Sequence, residues 1–222
     1  MSGSLSSSED DGANEGLESR VPVESVFYQS RSNEWYTPGE VLDAVRELFM
    51  PGAIDLDPCS TVDANERIRA TAFYDRDSDG LATANPWSGN VFVNPPFGVR
   101  AGASLQGLFF KRCMYEYAAG TVTQAVVLLK SAVGYEWFRA VYDYPHCFLS
   151  ARLSFVRPVA AAAALEHSGG LHWGSRLQNP HGSVVVYLGP NPRRFAGIFG
   201  RMGSIPGFKA WSLAENVPSG DG

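Results

Sequence analysis

Asn94-Pro95-Pro96-Phe97 stands directly after the apolar run Val91-Phe92-Val93. A short buried strand would thus deliver an amide side chain, two prolines and an aromatic ring to its carboxyl end. Consecutive prolines fix φ and remove two backbone donors, so the chain can neither continue a ladder nor start a helix there. The turn is expected to be rigid, with its carbonyls pointing outward and unpaired. Stiff acceptors beside an aromatic face suit a flat molecule carrying an NH2 group, and adenine is the obvious one. A turn that merely ends the strand is the plain alternative, since Asn-Pro is a common turn opener. The strand before it and the aromatic after it favour a site.

The elements that position this turn can be read from periodicity. Thr37-Pro38-Gly39-Glu40 predicts a helix start, with Thr37 as cap, Pro38 at the first helical position and Glu40 completing a capping box. Val41, Leu42, Val45, Leu48 and Phe49 follow at helical spacing until Pro51-Gly52. Residues 53–57 read as a strand ending in acids, 72–75 as a weak second strand and 90–93 as the strand feeding the turn. An amphipathic helix over 104–118 precedes an almost continuously apolar strand at 124–129, the pattern of a parallel sheet covered on both faces. Residues 134–142 read as helical, and 147–149, 153–156 and 183–188 as strands. Phe195, Ile198, Phe199 and Met202 predict a last short helix. This alternation, closed by an antiparallel strand pair near the C-terminus, predicts an α/β doubly wound, mostly parallel sheet. Ligands bind such sheets at the carboxyl ends of the strands, where Asp57 and Asn94 both fall.

A chain of 222 residues fits one domain, assigned to 25–222 with an inserted loop at 158–182, after a Ser/Gly/acid-rich tail at 1–24 expected to be disordered. No secretory signal or membrane-length apolar run is visible, so a soluble intracellular protein is expected, cytoplasmic in a bacterium or phage host and nuclear in a eukaryote. Cys59, Cys113 and Cys147 lack disulfide or zinc spacing, and the four histidines lack metal-ligand spacing, so no metal is expected. The net charge of −5 is uneven. The tail holds six acids against Arg20, leaving the remaining chain neutral. Residues 139–209 carry eight basic residues against Asp143 and Glu166, and all four histidines lie there. A polyanion-binding face would need such asymmetry, though scattered solvated arginines would also produce it.

The chain resembles the phage-type DNA N6-adenine methyltransferase (Dam) family. The matching blocks are Glu34-Trp35-Tyr36-Thr37-Pro38, Asp55-Leu56-Asp57-Pro58-Cys59, Asp63-Ala64-Asn65, Phe73-Tyr74, Asp79-Gly80-Leu81 with Trp87-Ser88-Gly89, and Asn94-Pro95-Pro96-Phe97-Gly98. Weaker matches follow at Leu128-Leu129-Lys130, Trp137-Phe138, Arg152-Leu153-Ser154-Phe155 and Gly182-Ser183. The resemblance implies the class I methyltransferase fold, S-adenosylmethionine (SAM) as methyl donor and adenine in DNA as acceptor. It implies that Trp35, Thr37, Pro38, Asp55, Asp57 and Pro58 line the donor pocket. Asp79, in a loop after a third strand, would sit near the donor's adenine ring, and Asn94, Pro95, Pro96 and Phe97 would form the catalytic turn. Of the two strand acids only one is expected to touch ligand, Asp57 in preference, with Asp55 capping a helix. The Gly-x-Gly turn of broader class I enzymes is replaced by Pro58-Cys59-Ser60-Thr61, and Phe97 stands where the family commonly has Tyr.

Lys130, Arg152, Trp173, Arg176 and His181 are the candidate DNA contacts, with 158–182 as the contacting insertion. Three other readings keep the same turn: methylation of adenine in RNA, methylation of a protein glutamine amide, or a silent nucleic-acid-binding module. The basic C-terminal half favours nucleic acid, and the intact Asn94-Pro95 pair counts against silence.

Overall fold

The computed structural model describes residues 36–154 and 181–207. Helix α1 (Gly39–Phe49) buries the expected Val41, Leu42, Val45, Leu48 and Phe49. It begins one residue later than the capping motif predicts. Pro38 occupies the cap position, and its carbonyl accepts from Val41 and Leu42 N–H. Proline cannot cap through a side chain, and no side chain caps this helix, so the Thr37 hydroxyl is left for another partner.

Strand β1 (Leu56–Asp57) is followed by α2 (Val62–Ile68), β2 (Ala72–Phe73), β3 (Gly89–Val93) and a hairpin of β4 (Val99–Arg100) with β5 (Ala103–Ser104). Then come α3 (Leu105–Ala118), β6 (Val122–Lys130), a 3-10 helix (Glu136–Asp143), β7 (His146–Leu149), β8 (Ser183–Leu188), α4 (Pro192–Phe199) and β9 (Gly203–Ser204). Apart from the hairpin these strands form one seven-stranded sheet, ordered β2-β1-β3-β6-β8-β7-β9. β2, β1, β3, β6 and β7 point one way, and β8 and β9 point the other. The mixed α/β, mostly parallel expectation holds. β2 lies on one side of β1 and β3 on the other, so the strand order switches direction at β1.

Alternation along β6 explains why the sheet is covered on both faces. Val126 and Leu128 join α1 and α4 in one core, while Ala125, Val127 and Leu129 join α3 and the 3-10 helix in the other. Alternation breaks at Asp55. Ile54 enters the first core and Leu56 the second, although residues two apart on a regular strand share a face.

Several sequence expectations change. The helix expected at 134–142 is a 3-10 helix. No strand intervenes between β2 and β3, so the loop bearing Asp79 follows a second strand rather than a third. Leu153 is buried but lies in no strand, and 155–156 fall outside the described residues. Most of the 158–182 insertion and the whole 1–24 tail lie outside them too. Among the described residues no helix is long and apolar enough to cross a membrane.

Candidate active site

Asn94 follows the last residue of β3 and Asp57 is the last residue of β1, its parallel neighbour. Both therefore stand at the carboxyl edge beside the point where strand order switches, where an open α/β sheet splays and leaves a crevice. The Asn94 side chain is anchored from α1. Its Nδ2 donates to Thr37 Oγ1 at 3.1 Å, and Thr37 is only 2% exposed. This leaves Oδ1 as an acceptor with no partner among the described residues.

Pro95 is buried, whereas Pro96 is exposed and Phe97 is 47% exposed. Contrary to the expectation of unpaired carbonyls, Pro95 O accepts from Gln106 Nε2 at 3.4 Å. A carbonyl has two lone pairs, so one remains for a ligand. Gln106 Oε1 in turn accepts the backbone N–H of Lys130, at the end of β6, at 3.1 Å.

Asp57 is 1% exposed, and its Oδ1 accepts from Cys59 N–H at 3.1 Å. Burial dominates and pushes its carboxyl up to about 6, against the lowering effects of the Cys59 N–H and the Ser60 hydroxyl. Among the described residues no cationic side chain pairs with it. Cys59 joins the two turns: its sulfur lies against the Asp57 carboxylate and receives the backbone N–H of Asn94. Burial, then the Asp57 charge, pushes this thiol well above the ordinary range, so it remains protonated rather than nucleophilic.

Asp55 has another role. Its Oδ2 accepts from Asn90 N–H at 2.7 Å, tying β1 to the start of β3. Gly89, at φ +74°, makes room for this carboxylate: a Cβ there would lie 2.3 Å from Asp55 Oδ2. The expected helix cap is therefore a strand-to-strand tie, because the carboxylate meets the backbone of β3 before it can reach any helix end.

Asp79, at φ +52°, forms a double hydrogen-bonded ion pair with Arg100 of the hairpin at 3.0 and 2.9 Å. The guanidinium holds its carboxyl below the usual range. Gly80 packs on the turn after β1 so closely that a Cβ would sit 1.8 Å from Pro58 O. The loop is held from beneath by Trp87, whose Nε1 donates to Gly80 O at 2.9 Å, and by Arg112 of α3, which donates to the carbonyls of Ala82 and Asn85. The Asp57-Pro58, Asp79-Gly80 and Asn94-Phe97 blocks thus form one connected rim.

Of the candidate DNA contacts, Lys130 ends β6 at the same edge, with Nζ 5.4 Å from the Tyr135 ring centroid. Gly182 O accepts from Ser131 N–H, which brings the exposed His181 beside this edge. Arg152, after β7, is exposed. Trp35, Trp173 and Arg176 lie outside the described residues. Sequence reasoning passed over Gln106, Arg100 and Cys59. Gln106 carried a signal: it shares a helical face with Phe110 and Cys113, where a polar residue requires partners. Among the described residues no group of three His, Cys, Asp or Glu could hold a metal ion.

The family model for DNA N-6-adenine-methyltransferase (Dam) matches residues 24–189. The chain belongs to the Dam family. The Dam match spans α1 through β8 and takes in all three blocks of the rim, leaving α4 and β9 beyond it. Neither a curated protein nor a solved structure matches this chain.

Proposed function

We propose that this Dam-family chain transfers a methyl group from SAM to the exocyclic N6 of adenine in DNA, on a class I methyltransferase fold. The observation that carries the reading is the Asn94-Pro95 acceptor pair, held at the switch point next to a buried carboxylate. The donor set suits a cationic cosubstrate: Asp57 lacks a cationic side-chain partner among the described residues, and a buried carboxylate is costly without one. SAM supplies a methyl group on a sulfonium sulfur that leaves as a neutral thioether. Asp57 would bind it, with Thr37, Pro38 and Pro58 shaping the same pocket.

The adenine amine is a poor nucleophile because its lone pair is delocalised into the ring. Asn94 Oδ1 and Pro95 O would accept its two hydrogens, drawing nitrogen toward tetrahedral geometry and freeing the lone pair. The nitrogen–methyl bond forms as the methyl–sulfur bond breaks, the bonding pair staying on sulfur, and the methylated nitrogen sheds one proton to solvent. The protein contributes positioning and stabilisation of the positive charge growing on nitrogen. Phe97, exposed beside the turn, would stack on the extruded base and offset part of an unstacking cost of about a few kcal/mol.

Mass spectrometry of nucleosides from DNA incubated with the protein and SAM tests this reading. N6-methyladenine should form with wild type and be nearly absent with Asn94→Ala. Methylation by the variant at the wild-type rate, or none by wild type, refutes it.

A further inference from the structure

We propose that Gln106 is a positioning residue of this site, a strut that aims the Pro95 carbonyl from the end of β6. The inference rests on the methyltransferase reading above. Gln106 is 5% exposed, on the first turn of α3, among residues that form the core between α3 and the sheet. An apolar side chain would fill that position without needing hydrogen-bond partners. A buried amide is tolerated only where both of its ends are satisfied.

Both ends are satisfied, and each partner has a single possible role. Lys130 N–H can only donate and Pro95 C=O can only accept. The amide orientation is therefore dictated by chemistry: Oε1 to Lys130, Nε2 to Pro95. The location explains the need. β3 and β6 are paired up to Val93↔Val127, and beyond this register the ladder stops. Pro95 lies two residues past it and Lys130 three residues past it, so Gln106 spans the gap where the strands part. Pro95 fixes its own φ and Pro96 confines the ψ of Pro95 to the extended range, so what holds the oxygen sets the final aim of the carbonyl within that narrow range.

The test uses the full chain with Gln106→Met, which has similar volume and no hydrogen-bonding amide, and Gln106→Glu at alkaline pH. The ionised Glu still accepts from Lys130 N–H but cannot donate to Pro95. Measured quantities are kcat and KM on duplex DNA, SAM affinity by calorimetry and the melting temperature. The expected result is a kcat loss of roughly tenfold or more in both variants with SAM affinity and KM within about threefold of wild type. Wild-type kcat in Gln106→Glu overturns the proposal. So does loss of SAM binding in both variants, which would make Gln106 a general packing element. An inactive wild type would instead refute the methyltransferase reading itself, so the two failures are distinguishable.

Discussion

Asp57 is a single side chain at this edge whose burial disfavours its charged form and so costs stability. Asp57 has its carboxyl pushed from 3.8 to about 6 by burial. The folded state thus holds the proton more tightly than the unfolded chain. Its favourable contribution is complete below the unfolded value and is lost as pH rises through about 6. Asp57→Asn keeps an acceptor for Cys59 N–H and removes the titration. The variant should therefore gain stability over wild type between pH 4 and 7.5, by an amount on the order of 2–3 kcal/mol, while losing SAM affinity. Denaturant titrations across that range check it, and a constant difference would show that Asp57 is not destabilised by burial. Thr37→Val removes the acceptor for Asn94 Nδ2 and should cut the methylation rate roughly tenfold, with Thr37→Ser restoring most of it. Equal rates for the two variants would remove Thr37 from the mechanism.

Among the elements, the rim depends on close backbone approach. Gly80 lets the loop after β2 sit on Pro58, and backbone atoms cannot yield as a flexible side chain can. Gly80→Ala should cost about 1–3 kcal/mol of stability and weaken SAM affinity together, checked by thermal melts and calorimetry. Much of the frame was legible from periodicity, since α1, α3, β3, β6 and β8 bury long apolar sets with clear spacing. The Asn94-Pro95-Pro96-Phe97 turn was legible because two prolines admit few conformations. The hairpin after Gly98 was not, because Val99 and the rest of its strands are largely exposed and carry no apolar alternation. Nor was the role of Asp55. The sequence reveals an acid on a strand, but the break in alternation that turns it toward Asn90 arises only when β1 meets β3. The helical pattern marks Gln106 only as a polar residue on an apolar face; its partners, like those of Cys59, lie across the sheet edge, which no local pattern encodes.

Across the described residues, the basic side chains do not gather on one face. Helix α1 starts at the carboxyl edge, where Thr37 meets Asn94, and ends near the opposite edge, from which β1 departs. Arg194 donates to the carbonyls of Met50 and Glu47 there, and Arg201 pairs with the Glu47 carboxylate. Arg194 secures α4 to the end of α1 by satisfying carbonyls that a helix terminus leaves unpaired, and Arg201, just past α4, adds an ion pair to the Glu47 side chain. Lys130 is placed at the other edge, beside the Asn94 turn. Charge totals along the sequence cannot separate the two groups, because α4 and the end of β6 lie far apart in the chain and on different edges of the sheet. Removing one side chain that neutralises a phosphate should reduce the salt dependence of DNA affinity by about one unit of slope. Anisotropy titrations of a labelled duplex between roughly 50 and 200 mM salt should show a shallower slope for Lys130→Ala. Arg201→Ala should keep the wild-type slope and lose less than about 1 kcal/mol of stability, as its pair with Glu47 is exposed. The reverse pattern would place the DNA on the α4 side of the molecule, away from the proline turn, and would separate DNA binding from the proposed site of methyl transfer.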